Sequence, residues 1–341
     1  MSPVIFNRKR TVRTTITIVA LLIIAFIVLL LSMNTGFTKM SPTEVLRTLF
    51  GGGTPRDNLI LFEFRLPRIV IALLVGTGLA IAGAILQGVS RNALADPGIL
   101  GINSGAGLAV VLFVVTNPMR ESASPMFMPL LALVGGFAAA AIIYLMAYKK
   151  DKGISSSRLV LSGIALAAGI NALMIVLTLQ MDPNEFNFIA TWQAGSIWGS
   201  SWKFVIALLP WIIVLLPAAL WKARQLNVFS LGDDTATGLG SYLNKQRLLL
   251  LIIAVALSAS CVAVSGGIGF IGLLGPHIAR RLVGPRYEHV IPVSALIGAV
   301  LLLIADMVGR TLMENAEIPA GVMVAIIGGP YFLYLLARSR A

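Results

Sequence analysis

Residues 65–107 read RLPRIVIALLVGTGLAIAGAILQGVSRNALADPGILGINSGAG. Two arginines flank a proline, and about 20 apolar or small residues follow, enough at 1.5 Å per residue to cross a bilayer's hydrocarbon core. A polar break, RNALADPG, then separates this run from a second apolar stretch. Gly76, Ala80, Ala84 and Gly88 recur every four residues along the first run. Such a ridge lets another helix approach closely, the way helices associate where lipid supplies no hydrophobic drive. The helix therefore expects protein neighbours rather than a life as a lone anchor.

Working outward, composition sets the class. Of 341 residues, 57% are hydrophobic and 12% charged, about half the charged fraction of a soluble domain. Apolar runs recur at about 14–33, 67–89, 98–115, 126–148, 159–179, 202–221, 248–264, 267–282, 290–308 and 320–337. The pattern predicts an all-α membrane protein, a polytopic bundle of about ten transmembrane helices forming one transmembrane domain over 1–341. The stretch GGIGFIGLLGP promises irregular helix near 267–282, and 34–64 reads as a loop with one short helix opened by Ser41-Pro42. The basic N-terminus with its long apolar run reads as a retained span rather than a cleaved signal, because SMNTGF is a poor cleavage site. Cys261 stands alone inside an apolar run, so it reads as a small buried residue with no disulfide partner in the chain.

The net charge of +12 raises the question of nucleic acid, but no basic domain exists; the cations sit in short loops between spans. Placing both termini inside puts 18 of the 26 basic residues on the inner side. Only Lys39, Arg47, Arg56, Arg65, Arg68, Arg120, Lys203 and Arg310 remain outside. The asymmetry predicts cytoplasmic termini and supports the count of ten. Arg65 and Arg68 stand at the outer mouth of the second span, and Arg310 at the outer end of the ninth. Asp306 lies one turn before Arg310, at ion-pair spacing. Two readings stay open: interfacial arginines with Arg310 neutralising Asp306, or an outward basic patch receiving an acidic partner.

Catalytic chemistry finds little support. His277 and His289 have no accompanying cysteine or carboxylate pattern, so no metal site is expected and both read as structural. Asp233-Asp234 resembles a metal-binding diacid only superficially, since no further aspartate follows in DDTATGLG. No glycine-rich loop ends in Lys-Ser or Lys-Thr, so this chain is not expected to hydrolyse ATP. Asp306 is the one clear acid within a span, which weakens an ion-coupled carrier without removing it. Gln87, Asn103 and Asn171 read as interhelical hydrogen-bonding groups or as cavity lining. The longest inner polar stretch, 222–247, is KARQLNVFSLGDDTATGLGSYLNKQR. Ser230 or Asp233-Asp234 would cap a short helix there and Gly238 or Gly240 would end it, and a plain solvated loop is the competing reading.

These residues resemble the FecCD/BtuC-like permease subunits of binding-protein-dependent ABC importers. The resemblance rests on RLPR at 65–68, QGVSRNALADPGILGINSGAG at 87–107, WQAGSIWG at 192–199 and LGDDTATGLG at 231–240. It continues through GGIGFIGLLGPHIARRLVG at 266–284, ADMVGR at 305–310 and IPAGVMVAIIGGPYFLYLL at 318–336. Ala93 stands where the family usually has proline, and Gly329 where alanine is common. The resemblance implies spans two to five repeated, inverted, in spans seven to ten, and Arg65, Arg68 and Arg310 docking glutamates of an extracytoplasmic substrate-binding protein. It further implies ATPase coupling at Leu231, Gly232, Asp233, Asp234, Gly238, Leu239 and Gly240, and an inner gate at Asn92, Leu94, Ser155, Ser156 and Ser157. Gly163, Ala165, Ala167 and Gly169 would line the pathway. The implied partners are a second permease (a paralogue before an identical copy), two ATPase subunits carrying ATP and magnesium, the binding protein and membrane lipid, in the bacterial cytoplasmic membrane. No cofactor on this chain and no nucleic acid is expected. The implied cargo is a ferric siderophore, with haem or cobalamin, or a stand-alone ion-coupled carrier, as alternatives.

Overall fold

The computed structural model describes residues 3–36, 40–98, 101–116, 127–149, 153–154, 156–197, 199–238, 243–313 and 316–338. Helices occupy all ten predicted stretches. They are α1 (Pro3–Asn34), α4 (Leu66–Ser90), α5 (Ile102–Thr116), α6 (Phe127–Ala147), α7 (Ser156–Thr178), α9 (Trp202–Trp221), α12 (Leu243–Ser265), α13 (Ile271–Val283), α14 (Tyr287–Gly309) and α15 (Ala320–Arg338). The connections hold the short helices α2 (Pro42–Leu49), α3 (Pro55–Asn58), α8 (Pro183–Gln193), α10 (Ala223–Phe229) and α11 (Asp233–Gly238). Two-residue strands, Tyr148–Lys149 and Gly153–Ile154, pair antiparallel between α6 and α7. Among the described residues seven helical segments are long and apolar enough to cross a bilayer, while α5 and the apolar part of α15 are shorter.

The expected loop at 34–64 is only half right. Ser41 opens α2 through a capping box, its Oγ accepting from Glu44 N at 3.3 Å while its own N–H donates to Glu44 Oε2 at 2.8 Å. A second capping box, Thr54 with Asp57, then starts a helix that does not stop. From Pro55 the chain is helical to Ser90, through a π-helical stretch at Leu59–Arg65. Only Leu61 and Arg65 are buried along this stretch, while Leu59 and Phe64 stay exposed.

Helix α4 is the axis of the bundle. It packs against α9, α12, α13 and α14, and nearly every residue from Val75 to Ser90 is buried. The predicted small-residue ridge is where α14 lies. A Cβ on Gly76 would fall 2.3 Å from the Gly298 carbonyl oxygen, and one on Gly298 would fall 2.2 Å from the Gly76 oxygen. The backbones touch, which only glycine at both positions permits. Gly83 meets α13 in the same way, with its would-be Cβ 1.9 Å from the Gly272 oxygen.

In two series of four helices the second member is the shortest: 25, 15, 21 and 23 residues in α4–α7, and 23, 13, 23 and 19 in α12–α15. The series run in opposite senses, since α4 begins beside Asp306 near the end of α14 and finishes where α12 begins. Each short member follows a break. Before α13, Phe270 adopts a left-handed conformation with φ 66°. Before α5, the segment after Arg91 folds back into the bundle and sets Asp96 and Pro97 against Gly272. Helix α13, at 13 residues, reaches only about 20 Å, so it runs from this interior junction to one end of the bundle.

Candidate functional site

At the end of the bundle where α4 begins lie all three predicted outer arginines, two of them paired with one acid. Arg68 donates through Nε to Asp306 Oδ1 at 2.9 Å and places Nη2 2.8 Å from the same oxygen. Its Nη1 lies 2.8 Å from Glu317 Oε2. Arg310 holds Nε 3.1 Å from Asp306 Oδ2, one turn away as its spacing predicted. The Asp306 side chain has no exposed surface, against 13% for Arg68 and 4% for Arg310. Burial pulls the Arg310 guanidinium down from its ordinary value, opposed by Asp306, reinforced by Arg68 and opposed again by Glu317; a guanidinium stays charged through such shifts.

The arginines also hold the end of α1. Arg65 donates to the Met33 carbonyl, and Arg310 reaches Ser32 Oγ at 2.6 Å and the Thr35 carbonyl at 3.3 Å. Cations on the last carbonyls of a helix are favourable, because those groups lack intrahelical partners and carry the negative end of the dipole. With three guanidiniums and two carboxylates, the cluster keeps one positive charge in excess.

The opposite end carries the polar segment 222–247. Helices α10 and α11 form there, and Ser230 closes α10 by donating to Asn227 O at 2.6 Å instead of capping α11. Gly232 precedes α11 at φ 102°, a conformation costly for any residue with a Cβ. Asp233 Oδ1 receives Arg91 from the end of α4 at 3.3 Å and Arg247 from the first turns of α12 at 2.9 Å. Asn227 of α10 accepts from the Tyr287 N–H at 2.9 Å and donates to Glu288 Oε2 at 2.6 Å, tying the segment to the start of α14. Leu231 is 58% exposed, and Gly238 ends α11 on open surface. Asp234 begins α11 beside Asp233, while Leu239 and Gly240 lie outside the described residues.

Near this end Asn92 makes a tight turn, its Oδ1 accepting from Leu94 N at 2.9 Å. Ser156 and Ser157 form the first turn of α7, and Ser155 lies outside the described residues. The four small residues of α7 divide between two faces. Gly163 and Ala167 sit against Gly101, whereas Ala165 and Gly169 face open surface. Gln87, one of the predicted hydrogen-bonding groups, donates to the Gly272 carbonyl at 3.1 Å and accepts from Arg280.

Asp306 is not the sole interior acid. Asp96 is 4% exposed, and its Oδ1 accepts from Gly98 N at 2.8 Å. It looked like a loop residue because RNALADPG is polar; the re-entrant fold carries it inward. The ADP-G pattern, with an acid that turns the chain and a proline that ends helix, was the available signal. Among the described residues no group of three or more His, Cys, Asp or Glu is placed to hold a metal ion.

Long apolar helices with polar clusters at both ends of the bundle, and two broken helices meeting between them, define a polytopic membrane protein. The model of the FecCD transport family matches residues 21–338, and the chain belongs to that family. It is 48% identical over 337 residues to the iron(3+)-hydroxamate import system permease protein FhuG of Bacillus subtilis (strain 168), covering 98% of this chain and 100% of that one. To the Fe(3+) dicitrate transport system permease protein FecD of Escherichia coli (strain K12) it is 40% identical over 311 residues, 91% of this chain and 95% of that one. Among solved structures, a chain of a metal-chelate type ABC transporter in an inward-facing conformation superposes with a TM-score of 0.82 at 30% identity, covering 94% of this chain and 98% of that one. The protein is therefore an ABC importer permease, a multi-pass protein of the bacterial cytoplasmic membrane whose ATPase resides in partner subunits.

Proposed function

We propose that this chain forms the translocation path for a ferric siderophore and moves it by alternating access, driven by ATP and magnesium on two ATPase subunits. The observation that carries the reading is the Asp233 clamp. One carboxylate links α11 to the end of α4 and the start of α12, the leading helices of both four-helix series. A displacement of α10 and α11 by an ATPase below would reach both series at once. Leu231, exposed beside the clamp, presents an apolar contact to that partner.

At the other end, Arg65, Arg68 and Arg310 receive carboxylates of the loaded binding protein, using the excess positive charge of their cluster. Asn92, Leu94 and the serines 155–157 close the path at the clamp end, and the α7 face bearing Ala165 and Gly169 lines it against a second permease, a paralogue. The clamp end is cytoplasmic, because Arg13, Arg91, Arg247, Arg280, Arg281 and Arg286 crowd it. FhuG names an iron(3+)-hydroxamate system, and its 48% identity makes a hydroxamate chelate the first cargo to test; the hemin transport system permease HmuU of Yersinia pestis, at 39%, keeps haem as the alternative.

Uptake of radiolabelled iron hydroxamate is to be measured in cells deleted for this chain and complemented with it. The expected result is uptake that requires both this chain and an intact nucleotide-binding lysine in the partner ATPase. Uptake that survives an inactive ATPase and collapses only with a protonophore would identify an ion-coupled carrier instead.

A further inference from the structure

An apolar cleft of about 330 Å³ opens between α6, α7 and α12, in the half of the bundle nearer the Asp233 clamp. Leu86 and Ile102 close its floor, and Phe137, Tyr144, Leu248 and Ile252 form walls. Its α12 lining repeats at helical spacing from Leu248 to Val255, so the cleft runs along the helix axes for two turns, about 10 Å. The mouth faces outward, since Leu145 and Ile252 at its edge are 71% and 50% exposed. Volume, shape and direction suit a length of hydrocarbon lying parallel to the helices.

The chemistry changes in order toward the end of the bundle. Tyr144 stacks on Tyr148 at 5.9 Å between centroids, at the level where aromatic residues meet lipid headgroups. Beyond them stand two exposed cations. Arg158 directly precedes the wall residue Leu159 in the first turn of α7, and Lys245 lies three residues before Leu248 in the first turn of α12. Apolar floor, aromatic belt and cationic rim follow the sequence of acyl chain, glycerol region and phosphate in a phospholipid.

We propose that this cleft is a binding site for an anionic phospholipid of the leaflet at the clamp end, one acyl chain filling it and the phosphate pairing with Arg158 and Lys245. A bound chain bridges α12 to α6 and α7, so the lipid fastens the two four-helix series together beside the gate segment. The site stands independently of the cargo and of the ATP-driven mechanism.

The test uses the full chain in nanodiscs of phosphatidylcholine doped with a phosphatidylglycerol that carries a photoreactive group on its acyl chain. Crosslinks are expected on 137–145 and 248–255. Unlabelled phosphatidylglycerol should compete roughly tenfold better than phosphatidylcholine, as two cations near an anionic headgroup imply. The double variant Arg158→Gln/Lys245→Gln, altered only at exposed positions, should keep the crosslinks and lose that preference. Val255→Trp, which fills the cleft, should lose the crosslinks themselves. Equal competition by both lipids, or a preference unchanged in the double variant, overturns the proposal by marking ordinary annular lipid. Crosslinks that vanish when the second permease is added would assign the cleft to that subunit and overturn it equally.

Discussion

Asp306 has no exposed side-chain surface and two guanidiniums within 3.1 Å, so its charge is the counterweight for Arg68 and Arg310 together. Asp306→Asn would remove the anion paired with the buried Arg310 and leave Arg68 with Glu317, a loss of about 3–5 kcal/mol for a broken buried pair. Unfolding of the purified chain should show that fall directly. Glu317 contrasts with it. Its side chain is 31% exposed and meets Arg68 alone among the described residues, so Glu317→Gln should change stability by less than about 1 kcal/mol. The same change raises the excess positive charge of the cluster, and binding-protein affinity measured by surface titration should therefore rise. Of the two readings of these arginines left open by spacing, the pairing of Arg310 with Asp306 is present, and the surplus cation as a docking point is the proposal that the affinity measurement tests. Sequence spacing revealed the Arg310 pair because four residues define one helix face. It was silent on Arg68, 238 residues away from Asp306, and on Arg65 holding Met33.

Among the elements, α11 is small, and its Asp233 is 42% exposed at the side chain, as Arg91 is at 40%. The pair with Arg91, exposed on both sides, contributes little to stability, roughly 0–1 kcal/mol, whereas Arg247 is only 4% exposed at the side chain. Arg91→Gln should accordingly leave the unfolding transition nearly in place while uncoupling transport from ATP. The expected signature is ATPase activity retained in proteoliposomes with chelate uptake reduced severalfold; uptake equal to wild type would remove the clamp from the mechanism. Helix positions were legible because each apolar run has its own period and length. Helix 55–65 was not, because its charged and polar residues, Arg56, Asp57, Asn58 and Glu63, mask an apolar face that only packing uncovers. The interior place of Asp96 was hidden likewise, since a re-entrant break and a surface loop share one composition.

For the molecule as a whole, the sidedness of the bundle decides what each cluster faces. Cys261 is wholly buried and is the only cysteine, so single introduced cysteines report cleanly. Lys203→Cys, in the first turn of α9 at the arginine-cluster end, should react with a membrane-impermeant maleimide in intact spheroplasts. Lys245→Cys should react only after the membrane is opened; the reverse pattern would invert the assigned topology. By itself the sequence determined a membrane bundle, its ten apolar helices, the ridge of small residues on α4 and the alternation of charge between loops. Those are local or compositional properties, set by hydrocarbon thickness and helix period. Only the tertiary structure decided that Arg68 and Arg310 converge on Asp306, that Asp233 joins the leading helices of both series, and that the two broken helices meet inside the bundle. Each of these depends on which distant segments lie side by side, and backbone contacts such as Gly76 on Gly298 set that register through shapes the one-dimensional pattern does not carry.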